Sequence, residues 1–161
     1  QYSLTQPEVD SVGFPSDGGG LKRKRNLSLN WKRSHWSAGW TVRYFGSYGQ
    51  SGAANSPQVL RTPASAAGLR NQFILPQGGD TIPSQTYHDA FVGYTFRASD
   101  RAAGGRGTRT LLDGLQVEAG IRNVFGKVPP LDMFSVYNLY YVSQYGDLKL
   151  RTYWVSVRKQ F

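Results

Sequence analysis

Cysteine is absent from the 161 residues, which excludes disulfides, thiolate catalysis and the usual zinc sites while leaving the compartment open. Acidic residues are scarce: ten Asp and Glu stand against nineteen Lys and Arg, a formal net charge of +9. A balance of that sign suits a polyanionic partner, with nucleic acid, lipopolysaccharide and acidic phospholipid all eligible. No run of eighteen apolar residues occurs, so no transmembrane helix is encoded. The opening QYSLTQPEVD has no basic segment followed by an apolar one, so no signal peptide is legible. A mature chain, a fragment and a cytosolic protein share that feature.

Catalytic signatures are missing as well. There is no G-x-S-x-G, no Walker loop and no H-E-x-x-H. His35 and His88 stand 53 positions apart, and the neighbours His88 and Asp89 fall on opposite faces of a strand. No enzyme activity, metal or cofactor is expected. GGRG, Gly104 to Gly107, is a single copy of an RGG-like segment and reads as a flexible turn, so nucleic acid is not an expected partner.

Aromatics and glycine are plentiful: 14% Phe, Trp and Tyr, including ten Tyr and four Trp, with 19 Gly and one Met. That composition is β-rich. Alternation locates the strands. Leu27, Leu29 and Trp31 share one face of the first. In the second, Trp36, Ala38, Trp40, Val42 and Tyr44 oppose Ser37, Gly39, Thr41 and Arg43, and a tight turn at KRSH makes the pair a hairpin. Ala90, Val92, Tyr94 and Phe96 oppose Asp89, Phe91, Gly93 and Thr95. Leu115, Val117, Ala119 and Ile121 oppose Gln116, Glu118, Gly120 and Arg122. The last segment sets Tyr153, Val155, Val157 and Phe161 against Thr152, Ser156, Arg158 and Gln160.

The pattern predicts an all-β fold with five antiparallel strands, about 21–33, 36–48, 86–97, 114–125 and 148–161. Long loops are expected at 49–85 and 126–147, a basic connector at 97–113 and a further loop over 1–20. Strands of this length suit a tilted bilayer crossing, which takes roughly 9–11 residues; soluble strands more often run about 5–6. Rings near the strand ends (Trp31, Trp36, Phe96, Phe161) fit aromatic girdles at two bilayer interfaces. Low mean hydropathy suits a soluble protein and equally a membrane barrel, whose strands turn every second residue inward. A soluble, basic all-β module for nucleic acid or glycan is the alternative, its rings serving as core and stacking surface.

Two stretches carry a resemblance. NVFGKVPP, with Asn123, Val124, Phe125, Pro129 and Pro130, resembles the segment before the last strand of TonB-dependent outer-membrane receptors. The ending YWVSVRKQF resembles that family's C-terminal strand, with Phe161 as its terminal aromatic and Val157, Val155 and Tyr153 as the alternating apolar positions. YHDAFVGYTF is similar to an earlier strand of the same barrel. The likeness covers residues 87–161 well and 21–48 loosely; it departs from the family at Lys159, Gly126 and the long connector.

The resemblance implies a C-terminal segment of a roughly 22-stranded transmembrane β-barrel, in the outer membrane of a Gram-negative bacterium. The plug domain and about seventeen strands lie outside this chain. The whole receptor would take up a scarce nutrient of the siderophore, cobalamin or glycan class with energy from the TonB complex, which engages the N-terminal region. Partners implied are the rest of the barrel and plug, the TonB complex, the barrel-assembly machinery that reads the closing strand, and the nutrient. With Phe161 at the periplasmic rim, 1–20, 49–86 and 126–147 fall outside the cell, and KRSH falls inside. Arg43, Glu118, Arg122 and Arg158 then face the lumen or plug. Pairing Gln116 with Arg158 makes Glu118 and Arg158 diagonal neighbours. Lys22, Arg23, Lys24 and Arg25 sit at the outer leaflet, as candidates for lipopolysaccharide phosphates at about 1 kcal/mol per cation.

Overall fold

The computed structural model describes residues 8–97, 112–134, 143–146 and 148–159. Seven strands run in chain order: β1 Lys24–Arg33, β2 Trp36–Phe45, β3 Tyr48–Gly49, β4 Thr81–Ile82, β5 Gln85–Thr95, β6 Leu115–Arg122 and β7 Thr152–Lys159. Five of them form one sheet in the order β1-β2-β5-β6-β7; β3 and β4 form a second, antiparallel pair. The described fold is mostly antiparallel β-sheet, as read from the alternation, with a few short helices besides. Among the described residues the large sheet is open, with β1 and β7 at its edges and no closed barrel.

The five long strands fall within or beside the expected segments: β5 starts one residue earlier, at Gln85, while β1, β2, β6 and the start of β7 are shorter or begin later than read. Asn123 has φ 51°, in the left-handed region that Asn tolerates, and it stops β6. Leu150 has φ 54°, so β7 begins only at Thr152. Ser34, φ 51°, makes the tight turn between β1 and β2. Phe161 and most of the 97–113 connector lie outside the described residues.

The chain divides into two compact units. One takes the described residues of Gln1–Arg25, Tyr44–Thr86 and Val128–Leu148; the other takes those of Asn26–Arg43, Tyr87–Lys127 and Lys149–Phe161. The first holds nearly all the buried apolar residues. Phe14, Ala53 and Ile74 cluster at its centre, and Phe45, Tyr48, Val59, Phe73 and Ile82 are buried too.

Residues 49–85 are not the unstructured loop that their composition suggests. Ser56 caps a helix α1, Pro57–Arg61, accepting from the Val59 N–H at 3.3 Å, with Pro57 in the first turn where its missing N–H costs nothing. Short helical turns follow: α2 Ala66–Leu69, a π-turn Arg70–Ile74 and α3 Leu75–Gln77, ended by Gly78 at φ 78°. Each is too short to show a 3.6-residue apolar stripe, and so each escaped the periodicity argument.

A buried polar network ties this unit together. The Tyr48 hydroxyl lies 2.7 Å from Asp132 Oδ2, to which it donates, and 2.9 Å from Ser143 Oγ. Gln85 donates to Ser143 Oγ (2.6 Å), and Gln50 donates to Asp132 Oδ1 (3.1 Å) and to Gln77 Oε1 (3.3 Å). Segments far apart in sequence, 48–50, 77–85 and 132–143, are thereby fixed to one another. Tyr145 stacks on Phe45 at 5.3 Å and meets Tyr48 edge-on at 5.7 Å.

The second unit is built differently. Of its described apolar residues only Tyr87 is buried among the large ones. Gln116 pairs with Arg158, the pairing supposed above for Glu118 and Arg158, with Val117 opposite Val157, Ala119 opposite Val155 and Gly120 opposite Trp154. β5 pairs with β6 so that Gly93 meets Glu118 and Tyr94 meets Val117. Two glycines on the polar face seat large rings. A Cβ at Gly39 would collide with the ring of Phe91, and one at Gly120 with the indole of Trp154. Aromatic side chains of neighbouring strands thus fill what the glycines leave open.

Gly120→Ala is expected to displace Trp154, red-shifting its emission and costing about 1–3 kcal/mol, read by fluorescence and urea unfolding in detergent. Tyr48→Phe removes one hydrogen bond each from Asp132 and Ser143, which keep Gln50 and Gln85 as partners, an expected loss of about 1 kcal/mol. Burial holds the Tyr48 hydroxyl far above its ordinary 10.0. The unfolded chain therefore releases this proton above pH ~10 while the folded chain keeps it. Stability from this group is complete below that pH and falls as pH rises, and Tyr48→Phe should flatten the alkaline loss.

Candidate functional site

The sheet of the second unit has two unlike faces. Leu27, Leu29, Trp31, Trp36, Val92, Tyr153, Val155 and Val157 all lie on one face and all are exposed, Leu29 by 64% and Val155 by 72%. Among the described residues nothing covers them. Eight such side chains at about 1–2 kcal/mol each amount to order 10 kcal/mol of unrealised burial, as large as the whole net stability of an ordinary domain. This face needs an apolar neighbour.

Aromatic clusters sit toward both ends of it. At one end His35, Trp36 and Phe96 gather around Tyr94, with ring centroids 5.8, 4.9 and 4.8 Å from it. At the other, Trp40, His88 and Phe125 meet: Trp40 Nε1 donates to His88 Nδ1 at 3.2 Å, and Phe125 lies 4.9 Å from the imidazole. That hydrogen bond makes His88 Nδ1 an acceptor. The two histidines therefore belong to different clusters, six residues apart along β5 at Tyr94 and His88.

The opposite face is polar. Arg43 Nη2 lies 3.0 Å from Asp89 Oδ2, and Asp89 Oδ1 also accepts from the Asn123 N–H at 2.9 Å. The Arg43 guanidinium stands 5.9 Å from the Tyr87 ring, and its Nε is buried with no partner among the described residues. Glu118 accepts from Gln116 at 2.7 Å rather than from its diagonal neighbour Arg158. Arg122 and Arg158 are exposed. So the four residues expected on the polar face do share it, but Arg43 and Glu118 are engaged by side chains of the sheet itself.

Asn123 explains its own motif. Its side chain accepts from the Lys127 N–H (2.8 Å) and donates to the Lys127 carbonyl (2.9 Å), closing a loop while the backbone takes a left-handed turn. Val124 N–H bonds to the His88 carbonyl, and Phe125 is exposed. Pro129 is buried, and the Pro130 carbonyl accepts from Ser143 N–H. Tyr153, Val155 and Val157 point outward. Of the basic run, Lys24 places its Nζ 5.6 Å from the Phe45 ring, the stem of Lys22 lies beside Gly13, and Arg23 accepts from Gly46 N–H through its carbonyl; all four side chains are exposed.

Sequence reasoning missed Asp89 as the partner of Arg43, and missed Trp154 altogether. The signal available for Trp154 was Gly120, a glycine interior to a strand with no turn to require it. No family model, no curated protein and no solved structure matches the chain.

Asp89→Ala should cost about 1–2 kcal/mol, discounted for partial exposure, since it strands the Arg43 guanidinium and the Asn123 N–H. The Arg43→Leu/Asp89→Leu pair should cost less than the two single changes together, measured by urea unfolding in detergent.

Proposed function

We propose that this chain is a wall segment of an outer-membrane β-barrel, the C-terminal part of a TonB-dependent receptor that takes up a scarce nutrient. The observation that carries the reading is the uncovered apolar sheet face set against a polar one, because a bilayer supplies the missing neighbour and an aqueous lumen suits the other side. The dimensions support it. Along β7 the outward face runs from Arg151, just before the strand, through Tyr153, Val155 and Val157 to Lys159, and on β1 from Arg25 through Leu27, Leu29 and Trp31 to Arg33, the two cations standing eight positions apart in both. That is roughly 26 Å along the strand, or about 20 Å of height at barrel tilt, against an apolar band of about 25 Å.

The edges of β1 and β7, unpaired among the described residues, call for further strands, because open edges in lipid leave N–H and C=O groups unsatisfied. Of the segments assigned to the extracellular side, 49–86 and 126–147, the described residues other than Gly126 and Lys127 share one unit, joined by hydrogen bonds such as Gln50 to Asp132 and Gln85 to Ser143, which supports their lying on one side. A soluble all-β module would leave the apolar face in water.

Single-tryptophan variants in vesicles test the membrane arm. Trp36 and Trp40 should be quenched by brominated acyl chains and Trp154 should not; equal quenching of all three would sink it. An antibody to residues 149–161, applied to outer-membrane fractions of the source cell, tests the receptor arm. The expected band is several times heavier than 17.9 kDa, and a soluble band at that mass overturns it.

A further inference from the structure

The polar face of the second unit carries more positive charge than it uses. Its carboxylates among the described residues, Asp89 and Glu118, are already bonded to Arg43 and Gln116. Lys32, Arg122 and Arg158 are exposed on the same face and take no partner among the described residues. Register places Trp154 between the two arginines: it pairs with Gly120, two residues from Arg122, while Arg158 pairs with Gln116, four residues the other way. Diagonal neighbours lie about 7–8 Å apart, so Arg122 stands at the position diagonal to Trp154, whose half-buried indole occupies the space over Gly120. Arg158 stands about 20 Å from Arg122 along the strand, too far for one small ion to bridge. Unpaired cations on a wall of low dielectric raise the local concentration of anions.

We infer that this face selects small anionic solutes, bearing carboxylate or phosphate, and that Arg122 beside Trp154 is their resting point. The inference deepens the reading of this face as a lumen wall and rests on it: the solute moved along the wall is an anion. Trp154 reports directly on the field. With Trp31, Trp36 and Trp40 changed to Phe, iodide and caesium quenching of the full chain are compared in zwitterionic vesicles, each normalised to free tryptophanamide.

Iodide should exceed caesium about threefold or more at low salt, for a potential of order kT, and the excess should vanish in 1 M salt. R122Q/R158Q should bring the two ions to parity while R122K/R158K keeps the excess, and citrate should protect Trp154 from iodide in the parent only. Parity in the parent, or a ratio unmoved by R122Q/R158Q, overturns the inference. In the chain with all four tryptophans, 5-fluorotryptophan gives an independent readout: the Trp154 fluorine resonance should shift on citrate titration, and no shift overturns it. Failure of the membrane reading shows separately, as absent brominated-lipid quenching of Trp36, and leaves the iodide preference measurable for a face in water.

Discussion

Everything in the larger sheet follows from a mismatch between what its strands expose and what the chain provides to cover it. Alternation sends Leu27, Leu29, Trp36, Val92, Val155 and Val157 to one side, and among the described residues none is buried there. In water such a surface is a liability of the same size as a domain's stability. In hydrocarbon it costs nothing, and the constraint passes to the backbone, whose N–H and C=O groups must all be paired. The open edges of β1 and β7 are where that requirement is unmet within the described residues.

The other unit obeys the opposite rule. Phe14, Ala53 and Ile74 make a conventional core, and beside it Tyr48, Gln50, Gln85, Asp132 and Ser143 form a buried network in which Gln50 Oε1 takes no partner among the described residues. A network of that kind is strong only when satisfied, and it ties the β3–β4 pair and the start of β5 to the described parts of 132–146, which have no regular pairing of their own. One chain therefore combines a unit folded by water exclusion with a sheet that has almost no buried apolar residue of its own.

How much of this was legible follows the range of the interactions. Period-two alternation is local, so the five strands and their faces could be read directly, whereas the Gln116–Arg158 pairing was one of several registers that share those faces. The helical turns within 57–77 were hidden because each spans only three to five residues. The Tyr48–Asp132–Ser143 node joins positions up to 95 residues apart and leaves no pattern in any window. Asp89 was visible beside His88, but its bond to Arg43 depends on which strands neighbour one another, and β2 meets β5 across a long insertion. The charge of the polar face could be counted, whereas which cations were already spoken for required the side chains.

The seating of Trp154 over Gly120 has a bearing on how the sheet is assembled. A strand that slips by one residue turns its apolar side chains the wrong way, and the face pattern alone corrects it. A slip of two residues keeps every side chain on its proper face, and hydrophobicity cannot detect it. In that register Trp154 would arrive opposite Glu118 or Arg122, where a Cβ and a long side chain occupy the space that Gly120 leaves vacant. The glycine and the indole act as lock and key for the one alignment that polarity cannot proofread.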